Sequence, residues 1–133
     1  MPSMSGLLSR PELRAHDHAI RTPMPLAVAE LRDLLTARLV AYLAGVTETR
    51  AVNDWASGVR AIRNPEVEAR LRLALQVASM LAEHDDPAVV QAWFTGLNPQ
   101  LDDRSPARML REGDLDQVGP LVLGAARAFL AGG

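Results

Sequence analysis

Three histidines and the acidic residues beside them are the side chains of this sequence best suited to chemistry. His16 and His18 flank Asp17, and His84 follows Glu83. Imidazole and carboxylate groups bind metal ions and transfer protons when several of them converge on one point. Neighbouring side chains of a helix diverge, and no partner ligands for His16 and His18 are apparent nearby in the sequence. We therefore expect no metal site, and we interpret His84 as a solvated residue at a helix end.

Other catalytic patterns are missing from the sequence. It contains no cysteine, no Gly-rich phosphate loop and no nucleophile elbow. Serine, histidine and aspartate occur, but their spacing along the chain does not assemble a triad. An enzyme would need an active site made of arginine and carboxylates alone. The sequence therefore favours a protein that binds partners, without catalysis and without a cofactor.

Residues 37–58, ARLVAYLAGVTETRAVNDWASG, have the pattern of two helices that pack across a tight turn. Ala41 is small enough for two helices to approach closely, Gly45 makes the turn, and Val46 fills the junction. Val52 and Trp55 are expected to face inward on the second helix. This segment resembles the helix-turn-helix of Xre-type regulators.

Polar side chains on and after the second helix are placed to contact DNA. Thr47 is expected to cap this helix, and Gly58 to end it. Arginines that follow it could meet the phosphate backbone, or they could be ordinary solvated surface residues. The candidate DNA-binding residues are Thr47, Thr49, Arg50, Asn53, Arg60 and Arg63.

One departure from the usual pattern leaves base reading open. Counted from Gly45, the expected inward apolar position falls on Ala51, whereas Val52 with Trp55 makes the better apolar pair one residue later. The turn is therefore expected to be one residue longer than usual. This length leaves the docking angle, and hence sequence-specific DNA reading, open. Any two packed helices joined by a glycine turn give a similar pattern, so the pattern alone does not establish a helix-turn-helix.

Between residues 93 and 118 the sequence is dense in helix ends, turns and helix starts. Gly96 is expected to end one helix with left-handed backbone. A turn at Asn98-Pro99 follows, and Ser105-Pro106 indicates a new helix with Ser105 as N-cap. A large aromatic residue, an Asn-Pro turn, a Ser-Pro cap and a Leu-x-x-Gly stop thus follow one another in order.

This ordered set resembles the toxin-binding C-terminal domain of the Xre/MbcA/ParS antitoxin family. The resemblance extends from near Val89 to the C-terminus and implies an antitoxin that covers a RES-domain toxin, an enzyme that destroys NAD. The same residues also have a purely structural interpretation, as the caps and core anchors of a small helical domain. The matching positions are Trp93, Asn98, Pro99, Leu101, Ser105, Pro106, Leu110 and Gly113.

The last predicted helix carries a candidate interface anchor. Arg127 lies beside the apolar pair Phe129 and Leu130, a combination enriched where proteins bind one another. Alternatively, Phe129 packs inward with Val122 and Ala125. The resemblance favours toxin binding, because in the family the C-terminal region lies over the active site of the toxin.

Composition predicts an all-α protein with an aliphatic core. Of the 133 residues, 48% are hydrophobic but only five are aromatic, and alanine and leucine dominate. No apolar run is long enough to span a membrane, and no secretory signal is apparent. We therefore expect a cytoplasmic protein without membrane contact.

Charge is distributed unevenly along the chain. All 14 basic residues are arginine; residues 1–75 hold ten of them against eight acids, whereas residues 76–133 hold four against eight. The first part therefore has a net charge of +2 and the second a net charge of −4. This balance permits DNA binding by the first part and makes the second a poor DNA surface.

The helical patterns predict an arm, an Xre-like helix-turn-helix lobe, a long central helix and a small helical toxin-binding and dimerisation lobe. Their ranges are 1–25, 26–63, 64–84 and 85–133. Asn64 and Pro65 start the central helix, whose apolar residues cover most of its circumference. In the last helix, Pro120 is tolerated only in the first turn, so the regular helix should begin at Asp116 or later.

The predicted function is that of an antitoxin, in a homodimer within a toxin–antitoxin assembly, that also binds operator DNA. Two other functions remain open. One is a stand-alone DNA-binding regulator without a toxin. The other is an interaction protein whose helix-turn-helix no longer binds DNA.

Overall fold

The computed structural model describes residues 10–132, and the regular elements of this part of the chain are all helical. The prediction of an all-α fold is therefore confirmed. Within these residues no helix is both long and apolar enough to cross a membrane. The helices are α1 (Arg10–Arg21), α2 (Met24–Leu35), α3 (Ala37–Ala44), α4 (Thr49–Ser57), α5 (Pro65–Ala82), α6 (Pro87–Thr95), α7 (Pro106–Glu112) and α8 (Leu115–Gly132), with a short 3-10 turn at Pro99–Leu101.

Three helices begin with the same local device. The side chains of Asn64, Asp86 and Ser105 each accept a hydrogen bond from a backbone N–H of the first helical turn, at 2.9, 3.2 and 3.1 Å. A proline follows each cap, where its fixed φ suits the helix and its missing N–H is not needed. The starts predicted for α5 and α7 are therefore confirmed, and α6 begins in the same way.

Thr36 separates α2 from α3, and the glycine stops predicted at Gly45 and Gly58 are present. Thr36 adopts a φ of 85°, and its side chain accepts a hydrogen bond from the backbone N–H of Leu39, so it ends α2 and caps α3. Gly45 and Gly58 end α3 and α4 with φ of 78° and 80°. This left-handed backbone is the conformation that favours glycine.

Two predicted end residues differ from the structure. The N-cap position of α4 is Glu48, without a side-chain cap bond, so Thr47 is not the cap. Gly96 has a φ of −80°, which is not left-handed. The reason for glycine there is space, because a Cβ atom would lie 3.0 Å from the carbonyl oxygen of Ala92.

The start of α8 lies slightly earlier than predicted. The helix begins at Leu115, one residue before Asp116, and Pro120 lies inside it. The side chain of Asp114 accepts a hydrogen bond from the backbone N–H of Asp116 at 3.0 Å and so satisfies one free donor of the first turn. This cap holds the helix start ahead of the proline.

Helix α5 is the centre of the fold, as its broad apolar surface predicted. It packs against α1, α2, α3, α6, α7 and α8, and residues such as Leu71, Leu75 and Ala78 are buried. Buried side chains from Ala15 to Ala126 form a single core cluster. The two predicted lobes therefore share one core. The predicted boundaries at 63/64 and 84/85 coincide with the two ends of α5 and do not separate two cores.

The prediction that residues 1–25 form an arm is wrong for the part that the structure describes. Helix α1 packs on α5 and buries Ala15 and Ala19. Arg72 of α5 donates hydrogen bonds to the carbonyl oxygens of Ala19 and Thr22, at 2.7 and 2.8 Å. The sequence of residues 11–20 also allows a short helix with Ser9 as its cap. Helix α1 confirms the helix, whereas Ser9 lies outside the described residues.

Candidate nucleic-acid interface and partner surface

Helices α3 and α4 are held together as the sequence pattern predicted. They are joined by the turn of residues 45–48, which has a backbone hydrogen bond of 3.0 Å from Val46 N–H to the Ala41 carbonyl oxygen. Ala41, Val52 and Trp55 are buried, and Ala51 is buried as well. Both candidate inward positions of α4 therefore face the core.

The six candidate DNA-binding side chains all lie on the surface. Asn53, on the outer face of α4, is already engaged, because Arg32 of α2 donates a 3.0 Å hydrogen bond to its side-chain oxygen. With its side-chain oxygen engaged by Arg32, Asn53 can still donate hydrogen bonds through its amide nitrogen. The exposed residues are Thr47, Thr49, Arg50, Asn53, Arg60 and Arg63.

A groove of about 620 Å³ lies on one side of the 45–48 turn; we call it the Arg111 groove. Its polar lining includes Thr47, Thr49 and Arg50, and it adds Arg38 of α3 and Arg111 of α7, which the sequence analysis did not identify. Arg111 comes from the segment assigned to toxin binding. Nothing in the local spacing could have indicated it, since it reaches this groove through the tertiary fold.

A second groove, of about 400 Å³, is lined by Ala44 and Val46 and by residues that follow α4; we call it the Trp55 groove. Arg60 and Arg63 line it, with the guanidinium carbon of Arg60 6.0 Å from the centre of the Trp55 ring. This separation is at the outer limit of a cation–π contact, so Arg60 is loosely held.

The two grooves meet at Val46, which lines both of them. Their charged lining residues are five arginines and one carboxylate, Glu48. The lining of the two grooves therefore has an excess of four positive charges, although the whole chain has a net charge of −2. Such a local excess of arginine attracts phosphate groups.

The histidines that could suggest metal binding face different neighbours. His16 lies 3.5 Å from the side-chain oxygen of Gln76, whereas His18 pairs with Glu30. Among residues 10–132, no group of three or more His, Asp or Glu side chains is placed to hold a metal ion.

Every residue of the family motif has an identifiable role in packing or capping. Trp93 is buried edge-on to Phe94, with ring centres 5.3 Å apart. The side chain of Asn98 accepts a 2.9 Å hydrogen bond from the backbone N–H of Gln100 and starts the 3-10 turn. The remaining motif residues are Pro99 in that turn, the buried Leu101, Pro106 and Leu110, the cap Ser105, and Gly113 at the end of α7.

Gly113 permits a close contact between α7 and α8. A Cβ atom at this position would lie 2.8 Å from the carbonyl oxygen of Met109 and would collide with the side chain of Val118. Its φ of −91° is ordinary, so glycine is required here for space.

The three predicted toxin-binding residues are largely occupied within the chain. The side chain of Arg127 donates a 2.6 Å hydrogen bond to Glu12 and thereby ties α8 to α1. Phe129 and Leu130 are half-buried and pack against the core, as the alternative interpretation of Phe129 required. These residues therefore do not form a free anchor.

A neighbouring groove offers a more exposed apolar surface. Phe129 lines it together with Trp93, Pro99 and Leu97, and Leu97 is 75% exposed. We call this surface the Leu97 face; the sequence analysis did not predict it.

Comparison with known proteins adds nothing to these observations. The chain matches no protein-family model, and neither a curated protein nor a solved structure is significantly similar to it. The functional assignment therefore depends on the residues and the geometry described above.

Proposed function

We propose that this protein is the antitoxin of a type II toxin–antitoxin system. It neutralises a RES-domain toxin that degrades NAD by covering the active site of the toxin, and it regulates its own operon by binding DNA. The observation that carries this proposal is the ordered motif from Trp93 to Gly113, joined through one core to a turn-linked helix pair surrounded by arginines. In this proposal the protein works as a homodimer.

Neutralisation is steric in this proposal, because no catalytic set is needed to close an active site. The Leu97 face supplies the contact surface in this proposal, since Leu97 exposes a large apolar side chain beside Pro99 and Phe129. Asp102 and Asp103 are exposed beside the 3-10 turn and supply a polar, acidic edge. An apolar centre with a polar rim is the usual composition of a protein interface.

Co-expression of the protein with its cognate RES toxin, with cellular NAD as the readout, tests this function. Leu97→Asp should abolish protection, because a carboxylate would be buried in the apolar contact. The matched control is Leu26→Asp, at a residue of α2 that is 61% exposed and lies in the first turn, where an acidic residue suits the helix dipole.

Removal of residues 126–133 is a poorer test, because it would disturb the fold itself. Ala126 is fully buried, and Arg127 is paired with Glu12.

Normal NAD levels when the toxin is co-expressed with the Leu97→Asp variant would exclude the Leu97 face as the contact surface. Loss of NAD despite abundant wild-type protein would exclude the antitoxin function with that toxin.

A second candidate function is a DNA-binding regulator without a toxin, and the arginine grooves favour it. A mobility shift on the DNA upstream of its own gene, combined with the absence of a neighbouring RES reading frame, would support this alternative. If no shift occurs at low salt, with or without a partner, the DNA-binding regulator is excluded, and of the two alternatives the interaction protein remains.

A further inference from the structure

Arg38 and Arg50 are available to a ligand in the Arg111 groove. Both side chains are exposed, and neither makes a hydrogen bond or an ion pair with any residue of the described part of the chain. They belong to α3 and α4, so two helices that meet at the 45–48 turn each present one free guanidinium to the same groove.

Arg111 supplies a third guanidinium, which is fixed in position. Its Nη1 donates a 2.8 Å hydrogen bond to the carbonyl oxygen of Tyr42, and its guanidinium carbon lies 4.6 Å from the centre of the Tyr42 ring. A guanidinium held by one N–H and by stacking still has N–H groups that can donate to another acceptor. Arg111 is therefore a preorganised part of the groove.

The start of α4 adds backbone donors to this lining. Glu48 occupies the N-cap position without a side-chain cap bond, which leaves N–H groups of the first turn without that partner. Glu48 is the single acidic residue of the lining and, like Arg38 and Arg50, it is exposed; against three arginines it leaves the groove with an excess of two positive charges. Guanidinium groups and helix N-termini both bind phosphate oxygens well.

We propose that the Arg111 groove binds phosphate groups of a nucleic-acid backbone through Arg38, Arg50 and Arg111. The inference rests on the DNA-binding part of the proposed function and deepens it. It assigns a backbone contact to an arginine of α7, in the segment that carries the partner-binding motif. This contact does not depend on the base sequence of the DNA, because the phosphates are the same at every base pair.

The salt dependence of DNA binding measures the number of these contacts. Each phosphate contact contributes roughly 0.9 to the slope of log K against log salt concentration. The slope is negative. The double variant Arg38→Gln with Arg50→Gln should therefore reduce its magnitude by about 2, for operator and random duplexes alike. Arg111 is left unchanged in this test because it also holds α7 against α3.

The matched control is Arg21→Gln with Arg104→Gln. Both residues are exposed and lie outside the two arginine grooves, and the double change removes the same charge. If the control variant reduces the magnitude of the slope as much as the groove variant does, the loss of net charge explains the effect. That result would overturn the assignment of phosphate contacts to the Arg111 groove.

The remaining outcomes separate this inference from the proposed function. If the wild type binds DNA and the groove variant binds with the same slope, the inference fails and the DNA-binding function stands. If the wild type binds no DNA, the DNA-binding function fails and the nucleic-acid assignment fails with it.

Titration with inorganic phosphate, followed by NMR of the arginine side chains, distinguishes a nucleic-acid backbone from a small phosphate ligand as the occupant of the groove. Shifts confined to Arg38, Arg50 and Arg111, together with DNA binding, support the proposal. The same shifts in a protein that does not bind DNA would assign the groove to a small phosphate ligand and overturn the nucleic-acid source.

Discussion

Arg111 of α7 lies over the ring of Tyr42 of α3 and donates a 2.8 Å hydrogen bond to the carbonyl oxygen of the same residue. This contact joins the motif-bearing helices to the helix pair that carries the candidate DNA-binding residues. The two residues are 69 positions apart in the sequence, so the contact exists only in the folded chain.

Arg111→Ala should lower the free energy of unfolding by about 2–3 kcal/mol, because a charged hydrogen bond to a part-buried carbonyl and a cation–π contact are both lost. Arg108 provides the control on the same helix. Its pair with Glu112 is exposed on both sides, so Arg108→Ala should cost less than about 0.5 kcal/mol. Urea denaturation measures both values, and equal costs would contradict the role given to Arg111.

Gly113→Ala should destabilise the protein by about 1–3 kcal/mol, because the added methyl group collides with Val118 and the Met109 carbonyl. Gly124→Ala is the matched control inside α8. A Cβ atom there meets no atom within 4 Å, so alanine should stabilise the protein by about 0.5–1 kcal/mol. Thermal unfolding midpoints should shift in opposite directions for the two variants.

Trp93→Ala should cost about 3–5 kcal/mol, since it removes a buried ring and leaves a cavity beside Phe94. Trp93→Phe should cost less than about 1.5 kcal/mol. The indole Nε1 is buried without a hydrogen-bond partner among the described residues, so phenylalanine loses no bond at that atom. An unchanged melting temperature for Trp93→Ala would show that the ring does not anchor the core.

Arg72→Ala should release the C-terminal end of α1, because the carbonyl oxygens of Ala19 and Thr22 lose their guanidinium donor. We expect a cost of about 2–3 kcal/mol and faster amide hydrogen exchange throughout α1. Arg21→Ala, which removes an exposed arginine of the same helix, should leave the exchange rates nearly unchanged. Rapid exchange of α1 in the wild type would restore the prediction of an arm.

The pH dependence of stability should include a small contribution from Glu83. A hydrogen bond from Arg14, together with its positive charge, lowers the pKa of the Glu83 carboxyl below its ordinary value. The pair therefore stabilises the folded state above the ordinary glutamate pKa, and this stabilisation is lost as the pH falls through the lowered pKa. In an NMR titration of the carboxyl carbon, Arg14→Gln should raise the pKa of Glu83; an unchanged value would contradict the pairing.

Local chemistry in the sequence determined where most helices begin and end. The caps Asn64, Asp86 and Ser105 act on backbone donors two or three residues away, so a short stretch of sequence contains the whole interaction. The apolar circumference of α5 likewise predicted its central position, since only a helix packed on several sides buries such a surface.

Close approach of backbone and side chains was less visible in the sequence. Gly96 and Gly113 both end helices, as predicted, but each is glycine because a Cβ atom would meet a neighbouring carbonyl oxygen. Glycine occurs both where the backbone is left-handed and where a Cβ atom has no room. The sequence therefore identified both positions, and the tertiary structure decided the physical reason.

Only the tertiary structure decided which arginines are free to bind a ligand. Arg72, Arg111 and Arg127 are occupied by Ala19, Tyr42 and Glu12, all at least 53 positions away in the sequence. Two of these acceptors are backbone carbonyls, which every residue has, so no sequence pattern distinguishes them. The same long-range packing left Arg38 and Arg50 exposed in one groove and moved the candidate partner surface from Arg127 to the Leu97 face.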